Sequence, residues 1–470
     1  MATSVPAWLE SFQTDLQADL LETGISWVLL TAHHAYKVKK PLLLPYLDYG
    51  SPQRRLFCCQ EEVRLNSRFA PDLYLGVVTI GDTGEAAVKM RRFDEAGRLD
   101  RVCARRSLTA AELRELAQVV GRIHADARIA DEGTNFGTPR QVLDQALENF
   151  DELRPRLPDQ AVRLDRLSQR VRRDFEAQAD WFLRRKAAGH IREGHGDLHL
   201  SNFVLLADRI TAFDCIEFNE ELRWIDVSSE LAFTYVDLLD RADSASAAWL
   251  LNDWLAEYGD YQGIPGFRCY AVHRALVRAK VAALAGDREA ALSYLDLTEE
   301  LMSPPPATLT ITYGLSGSGK TTASAALLAA DPSATTLRLR SDLERKRSYG
   351  LGEFDSSVDR GRHIYTAEAD ARTYELLADR ARLLLRAGWS VVVDAAFLAA
   401  PQRSVFRELA RDCGVEFAIL RCEAPVAELR DRIRRRRGDA SEADETVLDR
   451  QLANHDELTG EELPSVIEPT

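Results

Sequence analysis

Thr308-Leu-Thr-Ile-Thr-Tyr313-Gly314-Leu315-Ser316-Gly317-Ser318-Gly319-Lys320-Thr321-Thr322 is the stretch on which the fold turns. Its first six residues are β-branched, apolar or aromatic and predict a strand. From Gly314 to Thr321 it matches G-x-x-x-x-G-K-[ST] without a mismatch, and the following TASAALLAA reads as a helix. Strand, glycine loop and helix are the context that this motif requires. Glycines let backbone N–H groups close around phosphates, and a helix N-terminus adds a favourable dipole. Gly314, Leu315, Ser316, Gly317, Ser318, Gly319, Lys320, Thr321 and Thr322 are therefore expected to hold a nucleotide. Lys320 would reach the β/γ-phosphates, and the Thr321 hydroxyl would ligate Mg²⁺.

Three features downstream refine the reading. A second β-like run, TTLRLR, ends at Ser341-Asp342, with Arg345 three positions on. A carboxylate at the carboxyl end of a strand faces the crevice where α/β sheets bind ligands. Asp342 is thus the candidate base for an attacking hydroxyl, with a helix cap as its structural alternative. Arg345 is the candidate holder of an anionic substrate group. A third run, SVVVD, ends in Asp394, placed like a Walker-B carboxylate. Finally, LRDRIRRRR (429–437) predicts a basic helix, on which Arg432 and Arg436 share one face and are expected over the nucleotide.

The pattern GLSGSGKTT…RSD…VVVDAAF…RIRRRRGDASEAD resembles small P-loop kinases of the gluconate kinase, chloramphenicol phosphotransferase and polynucleotide kinase group, over nearly all of 307–470. The resemblance implies Asp342 as hydroxyl-activating base and an arginine lid at 432–437.

Upstream, Pro304-Pro305-Pro306 end any helix and favour an extended spacer, so a linker is expected at 303–306. Within 1–302, β-like runs (SWVLL, AYKVK, LGVVTI) surround one helical stretch near Gln60–Arg68, which predicts a small lobe of about 1–90. Helical patterns such as AAELRELAQVVGRIHADA dominate about 91–302. Between the helices lies His195-Gly196-Asp197-Leu198-His199-Leu200-Ser201-Asn202, followed by a hairpin-like NFVLLADRITAFD ending at Asp214. Asp197 and Asn202, five positions apart on a loop, supply a base and an amide metal ligand, and the hairpin would return Asp214 beside them. A site of this kind also needs a strand lysine and a helix glutamate. Lys37 with Glu62 is the expected pair. Lys39 remains the alternative, since a two-residue step keeps the same strand face. No G-x-G-x-x-G loop is present. His195 and His199 read as loop-stabilising, and Glu217 is open between a ligand and a solvated carboxylate. The H-G-D-x-H-x-x-N…D set resembles the aminoglycoside phosphotransferase family, which implies Asp197 as catalytic-loop base, Asn202 and Asp214 as metal ligands, and a structural role for Asp226.

The expected architecture is therefore α/β: a protein-kinase-like two-lobed domain over 1–302, then a doubly wound parallel-sheet P-loop domain over 307–470. The order resembles a family of bacterial two-domain proteins with those two modules, which implies ATP and Mg²⁺ as cofactors. The 470 residues carry a net charge of −14, which argues against a sequence-independent nucleic-acid coat. Neither a secretory leader nor an apolar run of spanning length is visible. Seven scattered cysteines without metal spacing read as reduced thiols in the cytoplasm. The expected activity is transfer of a γ-phosphoryl group to a small-molecule hydroxyl, at one site or two. The competing readings are a polynucleotide 5′-hydroxyl kinase and an ATP-sensing protein with one silent module.

Overall fold

The computed structural model describes residues 5–44, 46–241, 243–357, 364, 366–435 and 441–469. By packing, the chain divides into two compact units: Met1–Asp237 with His273–Arg288, and Leu238–Val272 with Glu289–Thr470. The border of these units is not the proline run.

The first unit opens with an antiparallel five-stranded sheet. Its strand order is Asp19–Glu22, Ser26–Leu30, His34–Lys39, Ala86–Arg91, Tyr74–Thr79. Lys37 lies opposite Val28 on one side and Val88 on the other. The helix against this sheet runs Pro52–Asn66, starting well before the stretch that helical periodicity suggests. Ser51 explains the early start. Its side chain accepts a hydrogen bond from the Arg54 amide, and Pro52 occupies the first turn, where a missing N–H costs nothing. Arg55, Cys58, Cys59, Glu62, Leu65 and Asn66 form its buried face, at helical spacing. Arg55 is tied down by an ion pair to Glu85 in the turn between the last two strands.

Helices make up most of the remainder of this unit. Ala110–Ala125 begins in a reciprocal Thr109/Glu112 capping box. Strands Phe203–Leu206 and Arg209–Ala212 form the hairpin expected from the sequence. Its turn residues Ala207 and Asp208 have φ of 45° and 66°, the left-handed pair whose twist suits a two-residue connection.

In the second unit, five parallel strands are ordered Thr336–Arg340, Ser390–Asp394, Thr308–Tyr313, Glu416–Arg421, Val466–Ile467. The strand that leads into the glycine loop is central, and its carboxyl end opens on the crevice where such sheets bind ligands. Gly314 has no room for a side chain: a Cβ there would stand 2.2 Å from the Cys422 carbonyl oxygen. Helices Lys320–Ala330, Ala367–Arg386 and Ala400–Cys413 connect the strands.

Strand Thr336–Arg340 is an edge, and helix Ser244–Tyr258 covers it. Asn252 accepts from the Arg338 amide at 2.7 Å and donates to the Thr336 carbonyl at 3.0 Å, supplying the two bonds that a neighbouring strand would make. No described helix is long and apolar enough to cross a membrane.

Candidate active sites

The two units each gather the chemistry-bearing residues that the sequence singles out. In the first, Lys37 and Lys39 project from one strand face onto the same glutamate. Lys37 donates to one Glu62 oxygen at 3.0 Å and Lys39 to the other at 2.7 Å. The two lysines then diverge. Lys37 also pairs with Asp214, whereas the fully buried Lys39 pairs with Glu217 and lies 3.3 Å from the Tyr49 hydroxyl. Burial works against charge on both ammonium groups. Their carboxylate neighbours, Asp214 first for Lys37 and Glu217 first for Lys39, outweigh it, and both pKa values rise. Tyr49, buried against Glu217, is driven strongly upward and stays a neutral phenol. Glu217 is thus a buried partner of Lys39 rather than a solvated carboxylate.

Asp197 and Asn202 are held together within one loop. The Asn202 amide donates to the Asp197 carbonyl at 2.8 Å and to its carboxylate at 3.1 Å. The Asn202 carbonyl in turn accepts from the Phe213 amide, which places Asp214 next to the loop. Asp214 sits at φ 65°, with its amide donating to the Tyr74 hydroxyl. This left-handed turn on a non-glycine residue aims a carboxylate back toward Lys37. Burial pushes the Asp197 carboxyl up, but the His199 imidazole at 3.3 Å, with His195 and Arg278, overrides it, and the net shift is downward. The Asp197 carboxyl is thus held in its ionised form. His195 bonds the Phe213 carbonyl at 2.8 Å and braces the loop. Asp226 holds Arg185 through two bonds of 2.9 and 2.8 Å in the interior, an architectural contact.

In the second unit a cavity of about 1400 Å³ runs along the phosphate loop. Ser316 through Thr322 line it, together with Asp342, Arg345, Asp394 and Arg432. Gly314 and Leu315 lie behind, and their carbonyls accept from the Lys320 ammonium at 3.0 and 2.8 Å. Asp342 does not act as a cap. Helix Ser341–Ser348 is preceded by Arg340 without any side-chain cap, and Asp342 stands in the first turn facing the cavity. Asp394 accepts from the Ser324 hydroxyl at 3.1 Å, one turn beyond Thr321. From helix Val426–Arg435, where the resemblance implies a lid, Arg432 reaches the Gly317 carbonyl at 3.1 Å. Arg436 lies outside the described residues; Arg435 lines the cavity. Arg430 and Arg434 turn instead to Glu445, and Arg430 also to Asp449.

Several residues of this cavity escape sequence reasoning. Gln451 reaches over from helix Glu445–Ala453 and accepts from the Ser316 amide at 2.8 Å. Asp370 and Tyr374, on helix Ala367–Arg386, line the cavity near Asp342 and Arg345. The helix that bears Asp342 is itself braced. Its buried Glu344 accepts from the Tyr261 hydroxyl at 3.0 Å and pairs with Arg347 and Arg380. Arg380 also stacks on the Tyr261 ring, 4.6 Å from its centroid. The only local signal for Asn252 is a polar side chain inside an apolar helical stretch, and Tyr261, at the head of the short turn Tyr261–Gly263 between Asp260 and Gln262, carries none.

Mg²⁺ takes oxygen donors and keeps much of its own water. Asn202 and Asp214 in one unit, and Thr321 with Asp394 nearby in the other, are donors of that kind. No cage of three or more His, Cys, Asp or Glu side chains occurs among the described residues.

Residues 309–458 match the family model described as an AAA domain. An uncharacterised protein of Mycobacterium tuberculosis strain H37Rv is 30% identical over 445 residues, covering 90% of this chain and 87% of the relative. A protein of Mycobacterium bovis, also uncharacterised, matches with the same identity and coverage. Among solved structures, a choline/ethanolamine kinase family protein from Mesorhizobium loti aligns with 63% of this chain and 96% of its own, at 12% identity and a TM-score of 0.42. The GDP complex of an aminoglycoside 2′-phosphotransferase aligns with 63% and 96%, at 16% identity and 0.37. A sugar kinase from Janibacter aligns with 35% and 84%, at 23% identity and 0.27.

Proposed function

We propose that the chain, which belongs to the family of these mycobacterial proteins, is an ATP-dependent kinase that phosphorylates a hydroxyl of a small molecule at the P-loop site, with a second phosphotransferase site in the first unit. What carries the reading is one juxtaposition: Asp342 and the phosphate-loop residues Ser316 through Thr322 face a single cavity. In the P-loop unit, main-chain amides and Lys320 grip the phosphate tail, and Thr321 is the metal ligand. Mg²⁺ when bound neutralises charge on the β- and γ-phosphate oxygens. Asp342 takes the proton of the acceptor hydroxyl as it attacks, and Arg432 steadies the transferring group. Arg345 belongs to the acceptor side.

In the first unit, Asp197 is the base, Asn202 and Asp214 are the metal ligands, and Lys37 oriented by Glu62 meets the α/β-phosphates. Pairing of Lys37 with both carboxylates supports this assignment over Lys39, whose ammonium is enclosed by Glu62, Glu217 and Tyr49. We place the reaction in the cytoplasm because the seven cysteines are scattered along the sequence without metal spacing. The acidic chain speaks for a small-molecule acceptor over a nucleic-acid 5′ end.

The test uses the full-length protein with labelled ATP and Mg²⁺. Lys320→Ala is expected to abolish nucleotide binding by the P-loop unit. Asp342→Asn should leave that binding intact while lowering transfer by about 10²- to 10⁴-fold. Undiminished turnover in both variants overturns the P-loop assignment. If Asp197→Asn changes no product, the first unit serves as a nucleotide sensor.

A further inference from the structure

The acceptor end of the P-loop cavity carries four charges: Asp342 and Asp370 against Arg345 and Arg450. They are not independent. Arg345, whose side chain is 9% exposed, pairs with the half-exposed Asp370 at 2.6 Å. Burial and the nearby Asp342 raise the Asp370 pKa, while Arg345 and Arg450 pull against them. The guanidinium best placed to receive an anionic group on the acceptor already faces a carboxylate. A second anion at this point would have to displace Asp370 from Arg345 and lie close to it, where like charges repel.

A chain of neutral hydroxyls meets no such barrier. Each hydroxyl both donates and accepts, so adjacent hydroxyls can bond a carboxylate and a guanidinium of an intact pair at once. Tyr374 contributes a further ring to the same wall, with its hydroxyl bonded to the Phe397 amide at 3.2 Å. Asp342 remains for the reacting hydroxyl. We propose, resting on the P-loop reading above, that the acceptor is a neutral polyhydroxy compound, a sugar or polyol without carboxylate or phosphate, and that Asp370 sets this preference by holding Arg345. A nucleic-acid end, which brings a phosphodiester beside its terminal hydroxyl, does not suit this site.

The experiment supplies full-length protein with γ-labelled ATP, Mg²⁺ and either a deproteinised bacterial metabolite extract or defined acceptors: xylitol, glucose, gluconate, glycerol 3-phosphate and a 5′-hydroxyl oligonucleotide. Only product lost in Lys320→Ala counts as P-loop product. Anion-exchange retention then reads its charge. The expected product carries the charge of one phosphate monoester, and Asp370→Asn raises KM for the neutral acceptor about tenfold while leaving KM for ATP unchanged. The same variant should narrow the gap between neutral and carboxylate-bearing acceptors. A P-loop product with an additional carboxylate or phosphate overturns the inference, as does an unaltered acceptor KM in Asp370→Asn. If no Lys320-dependent product forms from any acceptor, the phosphotransferase reading fails first, and this inference with it.

Discussion

Replacing Asn252 by Ala would remove the side chain that stands in for a strand. Asn252 is buried, and its amide makes two bonds to the edge strand Thr336–Arg340 and a third to the Ala248 carbonyl of its own helix. Truncation leaves one N–H and one C=O of that strand without their partner. A group stranded in the interior costs about 1–3 kcal/mol. Thr336 and Arg338 are only half-buried, so water recovers part of this, and the lower half of the range applies. The expected loss over the two groups is about 2–4 kcal/mol, or about 4–16 °C in Tm for a unit of this size. Calorimetry on the full-length chain reads it as a downward shift of the transition that added nucleotide moves in the parent protein but not in Lys320→Ala. Asn252→Asp separates the two bonds: it keeps the acceptor for the Arg338 amide but sets a carboxylate oxygen against the Thr336 carbonyl, so it should not recover the parent Tm. A shift below about 1 °C in Asn252→Ala would refute the claim that this helix completes the sheet.

Two further outcomes follow from particular contacts. His273 is buried beside Arg274 and Lys280, and burial first, then these two charges, lower its pKa well below the usual value. The unfolded chain therefore binds a proton that the folded chain refuses. Stability is fully present above about pH 6.5 and falls as the pH drops below it, by up to about 1.4 kcal/mol per pH unit. Chemical denaturation from pH 8 to 5 should show this slope, and His273→Gln should flatten it; an equal slope in the variant refutes the assignment. Gly314→Ala places a methyl group 2.2 Å from the Cys422 carbonyl oxygen and should cut nucleotide affinity of the P-loop unit by at least about tenfold, measured with a fluorescent ATP analogue.

The phosphate loop was legible because its requirements are local. Strand, glycines, lysine and threonine occupy consecutive positions, and Gly317 and Gly319 supply the left-handed φ of 84° and 92° that the loop itself requires. The hairpin that returns Asp214 was legible for a similar reason: two short β-like runs flank a two-residue turn. The meeting of Lys37 with Glu62 spans 25 positions, yet strand and helix periodicities confine each side chain to one face. The start of helix Pro52–Asn66 was missed because apolar periodicity is weak there, although Ser51-Pro52 is a capping signal that could have found it.

Helix Ser244–Tyr258 shows where local reasoning ends. Its apolar content says that it is buried but not against what, and the triproline run invites a boundary after it. The choice of partner depends on an unpaired strand edge some 84 positions downstream, which Asn252 can satisfy and an apolar residue could not. Asp370 failed for the opposite reason. In sequence it is one of two acids in the first turn of a helix, where a dipole alone accounts for it. Only the approach of Arg345, 25 positions upstream, converts that acid from a solvated helix terminus into part of a binding wall. In this chain the nucleotide end of the site is therefore written in consecutive residues. The acceptor end is assembled from side chains on separate elements, and its specificity has to be read from how their charges cancel.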